Sequence, residues 1–263
     1  MIDIQKALNE YNNYAKKYDI KNEKIALKVA HMLRVKEASK AIAKSLNLSN
    51  EDIELAELIG LLHDIGRFEQ LKRYNTYLDK KSVNHGEFGV KILFEEGLIR
   101  NFITDNTYDE IIKKAIINHN RNKIENGLNE RELLHAKIIR DADTIDILYM
   151  AIIEKTEVVY ESDNIEKENF TDELFNEFMN NELLDYSKIK THADIIITHF
   201  KYIFNMNFKY SFQVINEKKY LEKLYNRIHF EDSNTQKQFE TIYNETKKYL
   251  LKVVNEDGIS WQP

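Results

Sequence analysis

Apolar positions recur along this chain with the period of helices. Residues 1–18 form a short amphipathic pattern, and "EKIALKVAHMLRVKEASKAIAKSL" from Glu23 to about Leu46 continues it, with Leu27, His31, Arg34 and Ala38 along one side. Ser49 in "LSNED" is placed to cap a helix that runs through Ile53 to about Ile65. Residues 66–82, "GRFEQLKRYNTYLDKKS", lack a clean apolar face and read as a loop or short turns. Asn84 followed by Glu87 resembles a capping box, opening a helix that ends near Gly97. Two more helices are predicted around 109–119 and 130–155. No period-2 run of β-branched residues stands out, so the expected fold class is all-α.

Beyond these elements, "YESDNIEKEN" at 160–169 reads as a linker between a core over 1–160 and a helical extension over 161–263. The extension is expected to pack on the same domain. The aromatic stripe Phe200, Tyr202, Phe204, Phe208, Tyr210 and Phe212 suits core or interface packing, with a turn near "NMN" to reconcile its spacing with helices.

Composition narrows the chemistry. One proline and seven glycines in 263 residues leave little punctuation, which favours helices joined by short polar turns. The net charge of −6 argues against a general nucleic-acid binder, which needs a basic face for phosphates. With no cysteine, disulfides, thiolate nucleophiles and cysteine-ligated metals are excluded. A metal would therefore be held by imidazole and carboxylate, donors that suit iron, manganese, zinc or nickel, with magnesium a further candidate. The early acids of "MIDIQKALNEYNNYAKKYDI" do not fit a signal peptide, and no window approaches the ~18 apolar residues of a membrane span. A cytoplasmic protein without membrane partners is the expectation.

"LLHDIGRFEQ" at 61–70 places ionisable residues at the end of an apolar run, and the same habit recurs. His31, the pair His63 and Asp64, His85, His119 and Asp143 all fall on predicted helices, several on apolar faces. Ile112, Ala115 and Ile116 precede His119 on its face; Phe88, Gly89 and Ile92 follow His85; Ile139 and Ile147 bracket Asp143. Buried polar groups are costly unless paired, and a shared metal cluster supplies the partner. Adjacent helical residues diverge by about 100°, so His63 and Asp64 converge on one ion only near a helix end or with Asp64 reaching between two ions. Gly66 fits a helix that stops there.

The order His…His-Asp…His…His…Asp, carried by "AHMLRV", "HDIGR", "VNHGEFG", "AIINHNR" and "RDADTID", resembles the HD-domain superfamily of metal-dependent phosphohydrolases over roughly residues 20–160. The resemblance implies a helical bundle in which His31, His63, Asp64 and Asp143 bind one divalent ion. His85 and His119 resemble the two-metal subset, in which Asp64 bridges and these histidines hold the second ion. It also implies a small phosphorylated substrate, such as a nucleotide. Two divalent ions lower the pKa of a water and neutralise charge building on a phosphoryl group during in-line attack.

Asp64 and Arg67 are thus the expected catalytic residues, Arg67 matching a phosphate-facing cation. Arg34 is expected at substrate or paired with a carboxylate such as Asp146. Arg73, Lys80, Lys81 and Arg121 are candidates for positive potential over the pocket, and Gln70 for its lining. Asp141 is expected to be a surface or capping acid, and His135, His192, His199 and His229 to be structural or exposed. The same ligand order is also similar to di-iron oxygenases of the superfamily, and a nucleotide-sensing module is a third reading. No Gly-Tyr-Pro segment like that of the cyclic-di-GMP-cleaving branch is present.

Overall fold

The computed structural model describes residues 2–256; Pro263 and the end of the expected extension, 257–263, lie outside the described residues. The described residues are helical, with no strand among them. They divide into two compact units between Asp143 and Thr144.

The first unit contains α1 (Ile4–Ala15), α2 (Glu23–Ser45), α3 (Asn50–Leu62), α4 (Gly66–Tyr74), α5 (His85–Val90), α6 (Ile99–Phe102), α7 (Asp109–His119) and the first part of α8 (Glu130–Ile153). Ser49 caps α3, its Oγ accepting from Asp52 N at 3.1 Å. Every residue from Leu55 to Leu62 is buried, because α3 is the central helix and has no solvent face in that stretch. It pairs with α2 at close range: a Cβ on Gly60 would lie 2.9 Å from Lys36 Cα. A chain leaving such a helix must start inside the core, which is how His63 and Asp64 come to be buried.

The helix does not simply stop at Gly66. Residues 63–65 form a tight turn, with Ile65 N bonded to Leu62 O and Arg67 N to Asp64 O, and Gly66 opens α4. Residues 66–74, expected as a loop, are therefore a helix. Its apolar face is only Phe68 and Leu71, with the polar Gln70 buried beside them, so periodicity underestimates it. Phe68 is fully buried and packs edge-on against Tyr14 of α1 at 5.7 Å between ring centres. Asn75, in the left-handed region at φ 55°, ends the helix. The segment 75–84 is irregular apart from a single 3₁₀ turn at Asp79–Lys81. Asn84 caps α5 through Glu87 N at 3.0 Å, and α5 runs into a π-helical turn at Lys91–Glu95 before Gly97, at φ +80°.

The second unit holds the remainder of α8, then α9 (Thr156–Val159), α10 (Asp172–Met179), α11 (Ala193–Phe204), α12 (Lys209–Glu217), α13 (Tyr220–Arg227) and α14 (Ser233–Asn255). The stretch 160–169 is packed rather than linking: Tyr160 and Ile165 are buried, and Glu166 O accepts from Glu231 N at 2.9 Å. The aromatic stripe behaves as expected. The chain breaks between α11 and α12 at 205–208, which lets Phe200, Phe208 and Phe212 all face the core. No helix among the described residues is long and apolar enough to cross a membrane.

Candidate metal centre

Three of the four motif histidines lie at helix ends, and their positions explain their orientation. His63 follows the last residue of α3, and His119 is the last residue of α7. Carbonyls in a final helical turn lack an intrahelical partner. His63 Nδ1 donates to Gly60 O at 2.9 Å and His119 Nδ1 to Ile116 O at 2.6 Å. Each ring thus uses its own helix terminus to fix the tautomer and presents Nε2 to the interior. His85, first in α5, has no such carbonyl behind it and donates Nδ1–H to Asp79 Oδ2 at 2.6 Å.

The Nε2 atoms converge around Asp64. His31 Nε2 lies 3.2 Å from His63 Nε2, 3.2 Å from Asp143 Oδ1 and 3.6 Å from Asp64 Oδ2. His85 and His119 face the other carboxylate oxygen, with Nε2 atoms 3.4 and 3.6 Å from Asp64 Oδ1. Their own Nε2 atoms are 3.0 Å apart. Since both rings donate through Nδ1, neutral imidazoles would oppose two lone pairs at that distance. Burial holds His85 near a pKa of about 3, so it is neutral. Asp64 Oδ1 is buried with no hydrogen-bond partner. An orphaned carboxylate oxygen and two facing lone pairs fit a divalent cation, and the all-imidazole and carboxylate donor set suits one.

Charge balance is local. Burial alone would raise the Asp64 carboxyl, but Lys28, His63 and Arg67 hold it well below the usual range. Lys28 Nζ contacts Asp64 Oδ2 at 2.7 Å, and Arg67 Nε lies 3.6 Å from Oδ1. Asp143 is likewise held low against its burial by His31 and His63. Burial pushes His63 down.

All six expected donors come together in the first unit, in groups that could hold metal ions: His31, His63 and Asp64; His63, His119 and Asp143; Asp64, His85 and His119. The expected substrate cations are more dispersed. Arg67 directs Nη1 to Gln70 Oε1, Tyr77 O and Asp79 Oδ1 at 2.8, 2.5 and 3.0 Å. Arg73 pairs with Glu69 at 2.8 Å, and Arg121 with Glu125 at 2.7 Å. Arg34 is half-buried on α2 and Lys81 is exposed.

Asp141 is fully buried, which corrects the expectation of a surface acid: α8 has protein on that side as well as on the side of Asp143. His135 is structural, bonded to Asp52 at 3.1 Å. His192 pairs with Glu168 at 2.8 Å, His199 is buried beside the Tyr160 hydroxyl, and His229 is exposed.

Sequence reasoning missed three residues. Lys28 sits three before His31, a spacing that shares a helix face and was a usable signal. Asp79 carried none, lying in an irregular segment. Arg140, which reaches Asn118 O at 2.8 Å and so caps the end of α7 beside His119, carried none either.

Residues 29–148 match the family model of the HD domain, a stretch that takes in all six donors. Comparison with curated proteins and with solved structures gives no match.

Proposed function

We propose that this chain, whose residues 29–148 form an HD domain of the metal-dependent phosphohydrolase superfamily, hydrolyses a phosphomonoester or phosphodiester of a nucleotide or related small metabolite. The observation that carries the reading is the placement of Asp64, whose two oxygens face two separate imidazole sets. His31, His63, Asp64 and Asp143 would hold one divalent cation, and His85, His119 and Asp64 a second. When bound, such cations supply Lewis acidity, lowering the pKa of a water and drawing charge from phosphoryl oxygens.

The chain's own residues favour an anionic substrate. In the ligand set, two carboxylates stand among four imidazoles, with Lys28 and Arg67 beside them as cations. Asp79, paired with Arg67, adds a third carboxylate and leaves the group one negative charge, which two divalent ions would outweigh to give a positive site. Such a site attracts phosphate and disfavours neutral or cationic substrates. The burial of His31, His63, Asp64, His85 and His119 keeps bulk water from screening that field.

The test is a phosphatase panel of nucleoside monophosphates, sugar phosphates and phosphodiesters. Protein stripped with chelator would be reloaded singly with manganese, iron, zinc, nickel or magnesium and assayed without dioxygen. Metal-dependent release of phosphate from monoesters, or of a phosphomonoester and an alcohol from diesters, is expected. A metal-loaded protein that turns over its substrate only with dioxygen would establish oxygenase chemistry instead.

A further inference from the structure

His85 takes its ring acceptor from the irregular segment rather than from its own helix. Its acceptor, Asp79, lies in the irregular segment 75–84, and no helix terminus fixes the ring. That segment is held from inside by α4. Arg67 Nη1 reaches Tyr77 O at 2.5 Å and Asp79 Oδ1 at 3.0 Å. The fully buried Gln70 donates Nε2 to Asp79 Oδ1 at 2.9 Å, Ser82 Oγ at 2.8 Å and Val83 O at 3.0 Å. From α2, Lys24 O accepts the Tyr77 hydroxyl at 3.0 Å. Asp79 is the hub: one oxygen takes Arg67 and Gln70, the other takes the His85 ring.

We propose that Asp79 is the positioning residue for a second cation, aligning His85 Nε2 with His119 Nε2 and Asp64 Oδ1, and that the segment 75–84 makes this subsite separable from the first. The inference rests on the two-cation reading of the centre. A carboxylate accepting from the distal ring nitrogen of a ligand fixes the ring and raises the basicity of the other nitrogen, and losing it costs ~10–100-fold in metal affinity. The first donor set is built on other elements. His31 and Asp143 come from the interiors of α2 and α8, and His63 is anchored on Gly60 O. Arg67 accordingly acts through the clamp as well as through its charge, since its Nη1 is committed to Tyr77 and Asp79.

The experiment is manganese titration of chelator-stripped wild-type and Asp79→Asn protein by calorimetry, with electron paramagnetic resonance as a second readout. Wild type should take two ions and show the signal of a coupled pair. Asp79→Asn should take the first ion with wild-type affinity and the second at least ~10-fold more weakly. At one equivalent of manganese it should show an uncoupled signal, with the coupled one recovered only at high metal. Should Asp79→Asn not fold, Asp79→Glu keeps the charge and shifts the carboxylate by one methylene, and the same selective loss is expected. Two ions bound with unchanged affinities in the folded variant overturn the proposal and leave the two-cation centre standing. Equal weakening of both ions also overturns it, by making Asp79 a general structural residue. A wild-type protein that takes only one ion removes the two-cation reading and the proposal together, while phosphate release still tests the hydrolase reading separately.

Discussion

Gly66 lies against Gly89 with no room for a side chain: a Cβ on Gly66 would come within 2.7 Å of Gly89 N and of His85 O. The start of α4 therefore approaches α5 backbone to backbone, and that contact brings His85 beside Asp64. Gly66→Ala should cost ~1–3 kcal/mol in chemical denaturation, the range for forcing atoms into a packed core, and should weaken metal binding through His85. Gly89→Ala is the control. Its Cβ would meet nothing closer than 3.5 Å, and alanine favours helix by up to ~1 kcal/mol, so its stability should stay level or rise. Equal losses in both would show that the close approach at Gly66 is not special.

Metal should stabilise the fold. Ligand at a hundred times its dissociation constant adds ~2.7 kcal/mol per site when only the folded state binds. Chelator-stripped protein is expected to melt several degrees lower than protein with manganese or zinc. Asp64→Ala, which removes both facing oxygens, should abolish that difference. A melting temperature indifferent to chelator and metal would contradict the centre.

Lys28 offers a prediction with two opposite signs. Its ammonium is the 2.7 Å partner of a buried carboxylate, and breaking a buried pair from one side costs ~3–5 kcal/mol. Lys28→Met should destabilise the metal-free protein by about that much, and bound metal should recover most of it because cations then satisfy Asp64. By linkage, the variant binds metal more tightly than wild type, while KM for an anionic substrate rises. Weaker metal binding in Lys28→Met would reverse the assignment and make the lysine part of the support for the ligands.

Acid sensitivity has a component outside the motif. Burial of His199 lowers its pKa from 6.5 to about 4. The unfolded chain then binds a proton over a range where the folded one does not, so stability is complete above pH 6.5 and falls as pH drops towards 4. The loss from this residue reaches ~2 kcal/mol by pH 5 and ~3 kcal/mol at its limit. His199→Gln should flatten the fall in unfolding free energy between pH 7 and 4.5 by a comparable amount. The same slope in wild type and variant would mean that the imidazole is not buried neutral.

Legibility from sequence followed the length scale of each interaction. The helices at 23–46, 109–119 and 130–155 were readable because their apolar period and caps are local. α4 was not, because Gln70 is buried to satisfy a loop that periodicity does not register. The motif histidines stood out as polar residues on apolar faces. Asp79 did not, being an ordinary surface residue type until folding sets it against His85, and Lys28 showed only through its spacing to His31.

The sequence by itself determined a helical fold, because helical period and caps are properties of neighbouring residues, and offered six donors through the order in which the motifs occur. Only the tertiary structure decided that Asp64 turns one oxygen to each imidazole set, that Arg67 clamps a loop, and that Asp79 rather than a helix terminus orients His85. Those relationships depend on distances between separate helices, which packing sets and residue order does not encode one position at a time.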